Sequence, residues 1–243
     1  MVIRMINNKK ILSVITARAN SSYVGKNYKE LHGKPLFMWS VEQSLKSKYI
    51  DLTVVSSNCP FVREIISDNI DLLILKDFIF VLRPDELATV ISKNEDALIH
   101  AYYYCKYKLN FCADLIVNLQ PTSPIREKQL IDNCIEYKQQ QKADSLCTVS
   151  AHTPFFIKKN QGKLEWTYDY KNRPMRQELS DDDMFYHDDG CVYVMDASML
   201  LETKCRLGND ICVFHNSPVA SLQIDTPLDF NIIESIMNQN EQR

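Results

Sequence analysis

Short runs of β-branched and other apolar residues alternate along this chain with stretches of helical period, and that alternation leaves few folds open. Ile11–Ile15, Leu52–Ser56, Leu115–Leu119 and Ser145–Val149 read as buried strands. Pro35–Lys46, Phe61–Ser67, Glu95–Lys108 and Glu127–Gln139 carry helical spacing between them; Met38, Val41 and Leu45, for example, share one helical face. Leu72–Leu75 is a further apolar run, whereas Phe78–Asn94 reads as mostly irregular, broken at Arg83-Pro84. Later in the chain Gly190–Met195, Ile211–Phe214 and Ser221–Ile224 read as strands, and Ala197–Leu201 and Leu228–Met237 as helices. Strand–helix alternation of this kind predicts an α/β fold: a Rossmann-like, mostly parallel sheet with helices on both faces.

The alternation stops between residues 151 and 183, where apolar residues are sparse and charges mixed. Phe155–Lys158 and Leu164–Tyr168 flank Asn160-Gln161-Gly162, a hairpin signal. The expected organisation is one α/β domain built from 1–150 and 184–243, with 151–183 inserted as a surface excursion or an arm that meets a second subunit. At 243 residues and 45% hydrophobic content the chain can bury a sizeable core. A net charge of −3 argues against broad nucleic-acid binding, so an anionic ligand must be caught by a local cluster of cations. No apolar run is long enough to span a bilayer, and MVIRMINNKK does not read as a signal peptide. Eight cysteines without a CxxC pair, mostly inside apolar runs, suit a reduced, cytoplasmic protein with neither a disulfide framework nor a zinc site.

Four places carry candidate chemistry. The polar loop after the first strand holds Arg18, Asn20, Ser21, Lys26 and Asn27, which could cradle a triphosphate or simply face solvent. It is not a GxxxxGK[ST] loop. Arg83, in LRPDELA, could read a base or pair with Asp85 or Glu86. Gln120–Arg126, QPTSPIR, follows a buried strand directly, at the carboxyl edge where α/β sheets bind ligands. Asp225 stands where a strand gives way to a helix, as an N-cap or as a ligand to a hard cation. The runs Asp181–Asp183 and Asp188-Asp189 read as solvated loop, and the five histidines form no paired motif.

Taken together these segments resemble the CMP-sialic acid synthetase (acylneuraminate cytidylyltransferase) family. ARANSSYVGKN looks like its ARxxSKGxxxKN, LRPDELA like its LRPxELA, and LQPTSPIR like its LQPTSPLR. RPMRQELS, YHDDGCVYV and SLQIDTPLDF are similar to later blocks of the family, in the same order. The resemblance implies transfer of CMP from CTP to an acidic nine-carbon sugar of sialic, legionaminic or pseudaminic type, with release of pyrophosphate, by a homodimer using Mg²⁺. It places Arg18, Lys26 and Asp225 at the reacting phosphates. Asn20, Ser21, Ser22, Asn27, Arg83 and Asn94 would serve the nucleotide. Gln120, Thr122 and Ser123 would serve the sugar, with Lys158 and Arg176 reaching it from the excursion of a neighbouring subunit. Asp225 and Gln223 would hold the metal.

The chain departs from the pattern at several of these points. Ser22 replaces a lysine, Tyr23 a glycine, Gln223 the first aspartate of a DxD, Asn58 an aspartate after the second strand, and Asp189 an asparagine. Glutamine lacks the charge that makes carboxylate the better Mg²⁺ ligand. Two other readings therefore stay open: a nucleotidyltransferase for another sugar or nucleotide, and a relative that binds nucleotide or sugar without catalysis.

Overall fold

The computed structural model describes residues 6, 8–19, 25–69 and 77–240. Its opening strand β1 (Ile11–Thr16) is followed by a two-residue ladder, β2 (Glu30–Leu31) with β3 (Lys34–Pro35), and helix α1 (Leu36–Lys46). Then come β4 (Leu52–Ser57), α2 (Pro60–Asp68), β5 (Phe78–Leu82), α3 (Asn94–Lys108), β6 (Leu115–Leu119), α4 (Leu130–Gln141) and β7 (Ser145–His152). A hairpin of β8 (Ile157–Asn160) and β9 (Lys163–Trp166) precedes β10 (Phe185–Asp196), α5 (Ala197–Thr203), β11 (Ile211–His215) and α6 (Pro227–Asn240).

Seven strands form one sheet in the order β11-β7-β10-β6-β1-β4-β5. Six run the same way; β10 alone is antiparallel to its neighbours β6 and β7. Strand β1 shows why the sheet is covered on both sides. Ile11 and Ile15 join a core with Phe37, Val41, Val62 and Leu130, from α1, α2 and α4. Leu12 and Val14 point the other way, into a core with Leu98, Ala101 and Leu200, from α3 and α5. Alternation along a strand thus feeds two cores, and neither face can be polar. A third cluster, Leu31, Leu36, Ile224, Phe230 and Ile233, seats α6 against the start of α1. After β1 the chain builds outward through β4 and β5, then returns to place β6 on the other side of β1. Such a reversal opens a crevice at the carboxyl ends of the strands.

The expected fold class holds, with three differences at element level. Phe78–Leu82 is the edge strand β5, not irregular chain. Ser221–Ile224 is turn and loop; Ile224 is buried, but beneath α6 rather than in a ladder. Asp188 and Asp189 lie on β10, and Asp189 is fully buried, not solvated. The run Leu72–Leu75 lies outside the described residues. The hairpin signal is realised: Gln161 and Gly162 have φ of 46° and 84°, the two positive values of a type I′ turn. Among the described residues no helix is long and apolar enough to cross a membrane.

Candidate active site

At the crevice beside β1, a cleft of about 270 Å³ is lined by the ends of several elements. Thr16 and Arg18 come from the end of β1, and Lys26 and Asn27 from the loop that follows it. Arg83 comes from the end of β5, Ser92, Lys93 and Asn94 from the start of α3, and Gln120, Pro121 and Thr122 from the loop after β6. Asp225 stands just before α6. Four cations thus face one carboxylate, in a chain whose net charge is −3.

Arg83 is the most telling of them. It is 4% exposed, its Nε donates to Ser56 Oγ at 3.1 Å, and its Nη2 donates to the Ser56 carbonyl at 2.6 Å. No carboxylate pairs with it among the described residues, so the salt bridge to Asp85 or Glu86 weighed from sequence is absent. Burial, and secondly the cation of Arg18, push its pKa down to about 10. A guanidinium held dry beside a second guanidinium is costly unless an anion joins them. Arg18 itself donates from Nη1 to the Thr89 carbonyl at 2.5 Å.

Lys26, 5% exposed, donates to the Ile224 carbonyl at 2.9 Å and to Asp225 Oδ1 at 3.0 Å. An ammonium has three donors, and two of them are used among the described residues. Asn27 is tied by its amide to the Arg18 carbonyl at 2.8 Å. Asn94 accepts from Thr16 Oγ1 at 2.7 Å and donates to Asn118 Oδ1 at 2.7 Å, which makes it the floor of the cleft. Asp225 is not the helix cap. Thr226 and Asp229 cap α6 instead: Asp229 Oδ2 accepts from the backbone N–H and the hydroxyl of Thr226 at 2.7 and 2.9 Å. That leaves the second oxygen of Asp225 available to a ligand.

The QPTSPIR loop is fixed from beneath by a residue that sequence reasoning did not single out. Arg126 is half-buried, and burial lowers its pKa. It donates to the carbonyls of Gln120 at 2.8 Å and Cys191 at 3.0 Å, to Ser40 Oγ at 3.0 Å and to Gln43 Oε1 at 2.7 Å. No spacing rule reveals it, because its partners come from α1, the Gln120 loop and β10. Close by, Gly190 at φ 64° lies against Gln120, and a Cβ there would meet the Gln120 amide at 3.3 Å.

Several expected site residues lie elsewhere. Ser123 is fully buried, its hydroxyl without a partner among the described residues, and does not line the cleft. The Gln223 amide donates to the Asp189 carbonyl, so it is turned from Asp225 and does not complete a metal pair. Lys158 and Arg176 are exposed on the excursion and do not reach the cleft of their own chain. Asn20, Ser21 and Ser22 lie outside the described residues. Among the described residues no three His, Cys, Asp or Glu side chains cluster to hold a metal. The site therefore offers a cation one carboxylate, Asp225. That suits Mg²⁺, which binds through one or two carboxylates plus substrate phosphates and water, better than a fully protein-caged ion.

Comparison with known proteins places the chain in a family. The sequence profile of the cytidylyltransferase family fits residues 12–242. CMP-N,N'-diacetyllegionaminic acid synthase of Legionella pneumophila is 27% identical over 245 aligned positions, covering 96% of this chain and 98% of that protein. N-acylneuraminate cytidylyltransferase of Escherichia coli is 25% identical over 96% of this chain, but the match spans 54% of its length, about half. Among solved structures, CMP:2-keto-3-deoxy-manno-octonic acid synthetase complexed with CTP superposes with a TM-score of 0.64 at 16% identity, over 95% of this chain and 99% of that one. 4-Diphosphocytidyl-2C-methyl-D-erythritol synthase from Anaerococcus prevotii gives 0.70 at 13% identity, over 96% and 98%. These structural likenesses establish a shared Rossmann-like fold. The profile match over nearly the whole chain establishes more: this protein belongs to the cytidylyltransferase family and is a nucleotidyltransferase.

Proposed function

We propose that the chain transfers CMP from CTP to a hydroxyl of an acidic nine-carbon sugar of the sialic, legionaminic or pseudaminic type, and that the cleft described above is where it does so. The carrying observation is the buried Arg83, without a carboxylate, beside Arg18 and across a cleft from Lys26. Such an arrangement is suited to several negative charges at once, as on a triphosphate. The sugar class draws support from the Legionella relative, which matches this chain end to end and is named for a legionaminic acid.

In the reaction, the sugar oxygen forms a bond to the α-phosphorus while the bond from that phosphorus to the bridging oxygen of pyrophosphate breaks; the hydroxyl proton goes to solvent or to a phosphate oxygen. No protein nucleophile is needed, only in-line placement and offset charge. Arg18 and Lys26 would hold the phosphates, Arg83 and Asn27 the nucleoside end, and Gln120 and Thr122 the acceptor. Mg²⁺, held by Asp225, would offset charge on the phosphate oxygens when bound with the nucleotide. Lys158 and Arg176 would reach the acceptor carboxylate from the excursion of a second copy in a homodimer, and the enzyme would work in the cytoplasm. The test is pyrophosphate release with CTP, Mg²⁺ and a panel of nonulosonic acids. Release with at least one member, and with CTP ahead of ATP, GTP and UTP, is the expected result. Release only with other acceptors would overturn the sugar assignment.

A further inference from the structure

One side chain ties together the two segments that carry the cleft's arginines. Strand β4 lies between β1 and β5. Its last backbone rungs reach both neighbours: the Ser56 carbonyl accepts from Ala17 N–H at 3.0 Å, and the Ser57 carbonyl from Arg83 N–H at 2.9 Å. Beyond Ser57 the chain turns into α2, which opens on Pro60, and the ladder cannot continue. The carboxamide of Asn58 adds one more rung on each side. Its Oδ1 accepts from Ala19 N–H at 3.0 Å, and its Nδ2 donates to Asp85 Oδ1 at 2.9 Å. Ala19 directly follows Arg18, and Asp85 is two residues past Arg83. Both arginines line the cleft.

We propose that Asn58 is a positioning residue that sets the spacing of Arg18 and Arg83, and through it the affinity of the cleft for nucleotide. This rests on the assignment of the cleft to CTP. Asn58 touches neither the cleft's contents nor the reacting atoms, since it does not line the cleft. Only a side chain that both accepts and donates can make the two bonds. A carboxylate at this position would still accept from Ala19 N–H but would stand against the Asp85 carboxylate. Alanine would remove this last rung from both segments and leave the backbone rungs at Ala17 and Arg83 to hold them. The last rung matters because two like charges face one cleft, and it resists their moving apart beyond the backbone ladder when no anion joins them.

Exchange of the two partners gives a decisive experiment. Asn58→Asp should raise KM for CTP by about tenfold, since a hydrogen bond becomes a like-charge contact, with kcat within about twofold of the parent. Asp85→Asn in the same chain should restore KM, because the amide introduced at 85 can donate to the carboxylate introduced at 58. Asp85→Asn alone completes the cycle. A merely structural Asn58 would show loss of thermal stability without this reciprocal rescue. If Asn58→Asp does not fold, Asn58→Ala takes its place, with a smaller rise in KM that Asp85→Asn does not rescue. Unchanged KM in the Asn58 variant, or a double variant no better than Asn58→Asp, overturns the proposal. Arg18→Ala separates the two levels. If it leaves KM for CTP unchanged, the assignment of the cleft to nucleotide fails; if it raises KM and the Asn58 variant does not, only the tie fails.

Discussion

Arg83 is a single residue that opposes folding, and on the proposed assignment it does so in the service of binding. Its pKa, pushed down to about 10, means that keeping it charged costs folding free energy at every pH below about 10. That cost fades only as the pH climbs above about 10 towards the ordinary arginine range. Arg83→Met should therefore raise Tm in the absence of nucleotide, by about 2–4 °C for each kcal/mol relieved, while weakening CTP binding at least about tenfold. Thermal melts with and without CTP check both halves; a lowered Tm without nucleotide would show that the buried cation is already compensated. Asp225 makes the opposite case. Because Thr226 and Asp229 cap α6, Asp225→Asn should keep the Lys26 hydrogen bond and leave Tm nearly unchanged. It should still cut kcat by about a hundredfold or more. Asp229→Ala should instead cost about 1 kcal/mol of stability and leave KM for CTP in place. Denaturant titration beside steady-state kinetics separates the two. Much of this site was legible beforehand: Arg18, Lys26, Asn27, Arg83, Gln120 and Asp225 sit in short contiguous motifs at strand ends. Arg126 and Asp189 were not legible. Their roles depend on which distant carbonyls and hydroxyls converge on them. Asp189, for instance, accepts from Thr148 Oγ1 at 2.5 Å and from Asn216 Nδ2 at 3.1 Å, on two other segments.

At the scale of elements, the strands buried on both faces announced themselves, as did the edge strand β11, but the other edge, β5, did not. Leu115–Leu119 is entirely buried, and it is apolar apart from Asn118. β5 is an edge strand whose FIFVL run ends at Arg-Pro, and its last residue, Leu82, is 60% exposed, so propensity and punctuation disagreed there. Ser221–Ile224 failed for the converse reason. Its apolar residues serve the cluster under α6, which a strand and a loop can satisfy equally. The Gln120 loop shows how an irregular element becomes rigid, with Arg126 saturating carbonyls that have no ladder to join. Arg126→Met should strip the Cys191 carbonyl of its guanidinium donors and leave the Gln120 carbonyl with only the longer bonds from Ser40 Oγ and Ser123 N–H, both 3.2 Å. It should destabilise the fold by at least about 2 kcal/mol, measured by urea unfolding. A change within experimental error would mean that the loop holds itself.

For the molecule as a whole, the excursion is the part without a core of its own. Phe156, Leu164, Trp166, Tyr170, Met175 and Phe185 are all exposed on or beside it. A second copy of the chain is the proposed cover, and Trp166→Glu should shift the protein from dimer to monomer in light scattering at micromolar concentration. The excursion's two roots are register partners, His152 on β7 and Phe185 on β10. Replacing residues 153–184 with Asn-Gly, the turn that joins paired strands most readily, should therefore give a folded monomer. It should retain CTP binding and lose affinity for the acceptor sugar. An unfolded or aggregated product would show that the excursion belongs to the core.

The reversed strand β10 has a consequence for how such an enzyme can change over generations. Because it runs against β6 and β7, the chain enters it at the edge where the parallel strands end, which is also the edge that carries Gln120. An insertion before β10 must leave and rejoin the sheet on that side, at neighbouring points. Its length and composition can drift without disturbing the register of any other strand. If the cleft takes CTP as proposed, the nucleotide half of the reaction is held by strand ends and the loops beside them, apart from the insertion. Selection could then retune the acceptor through a peripheral graft while the handling of the triphosphate stays fixed.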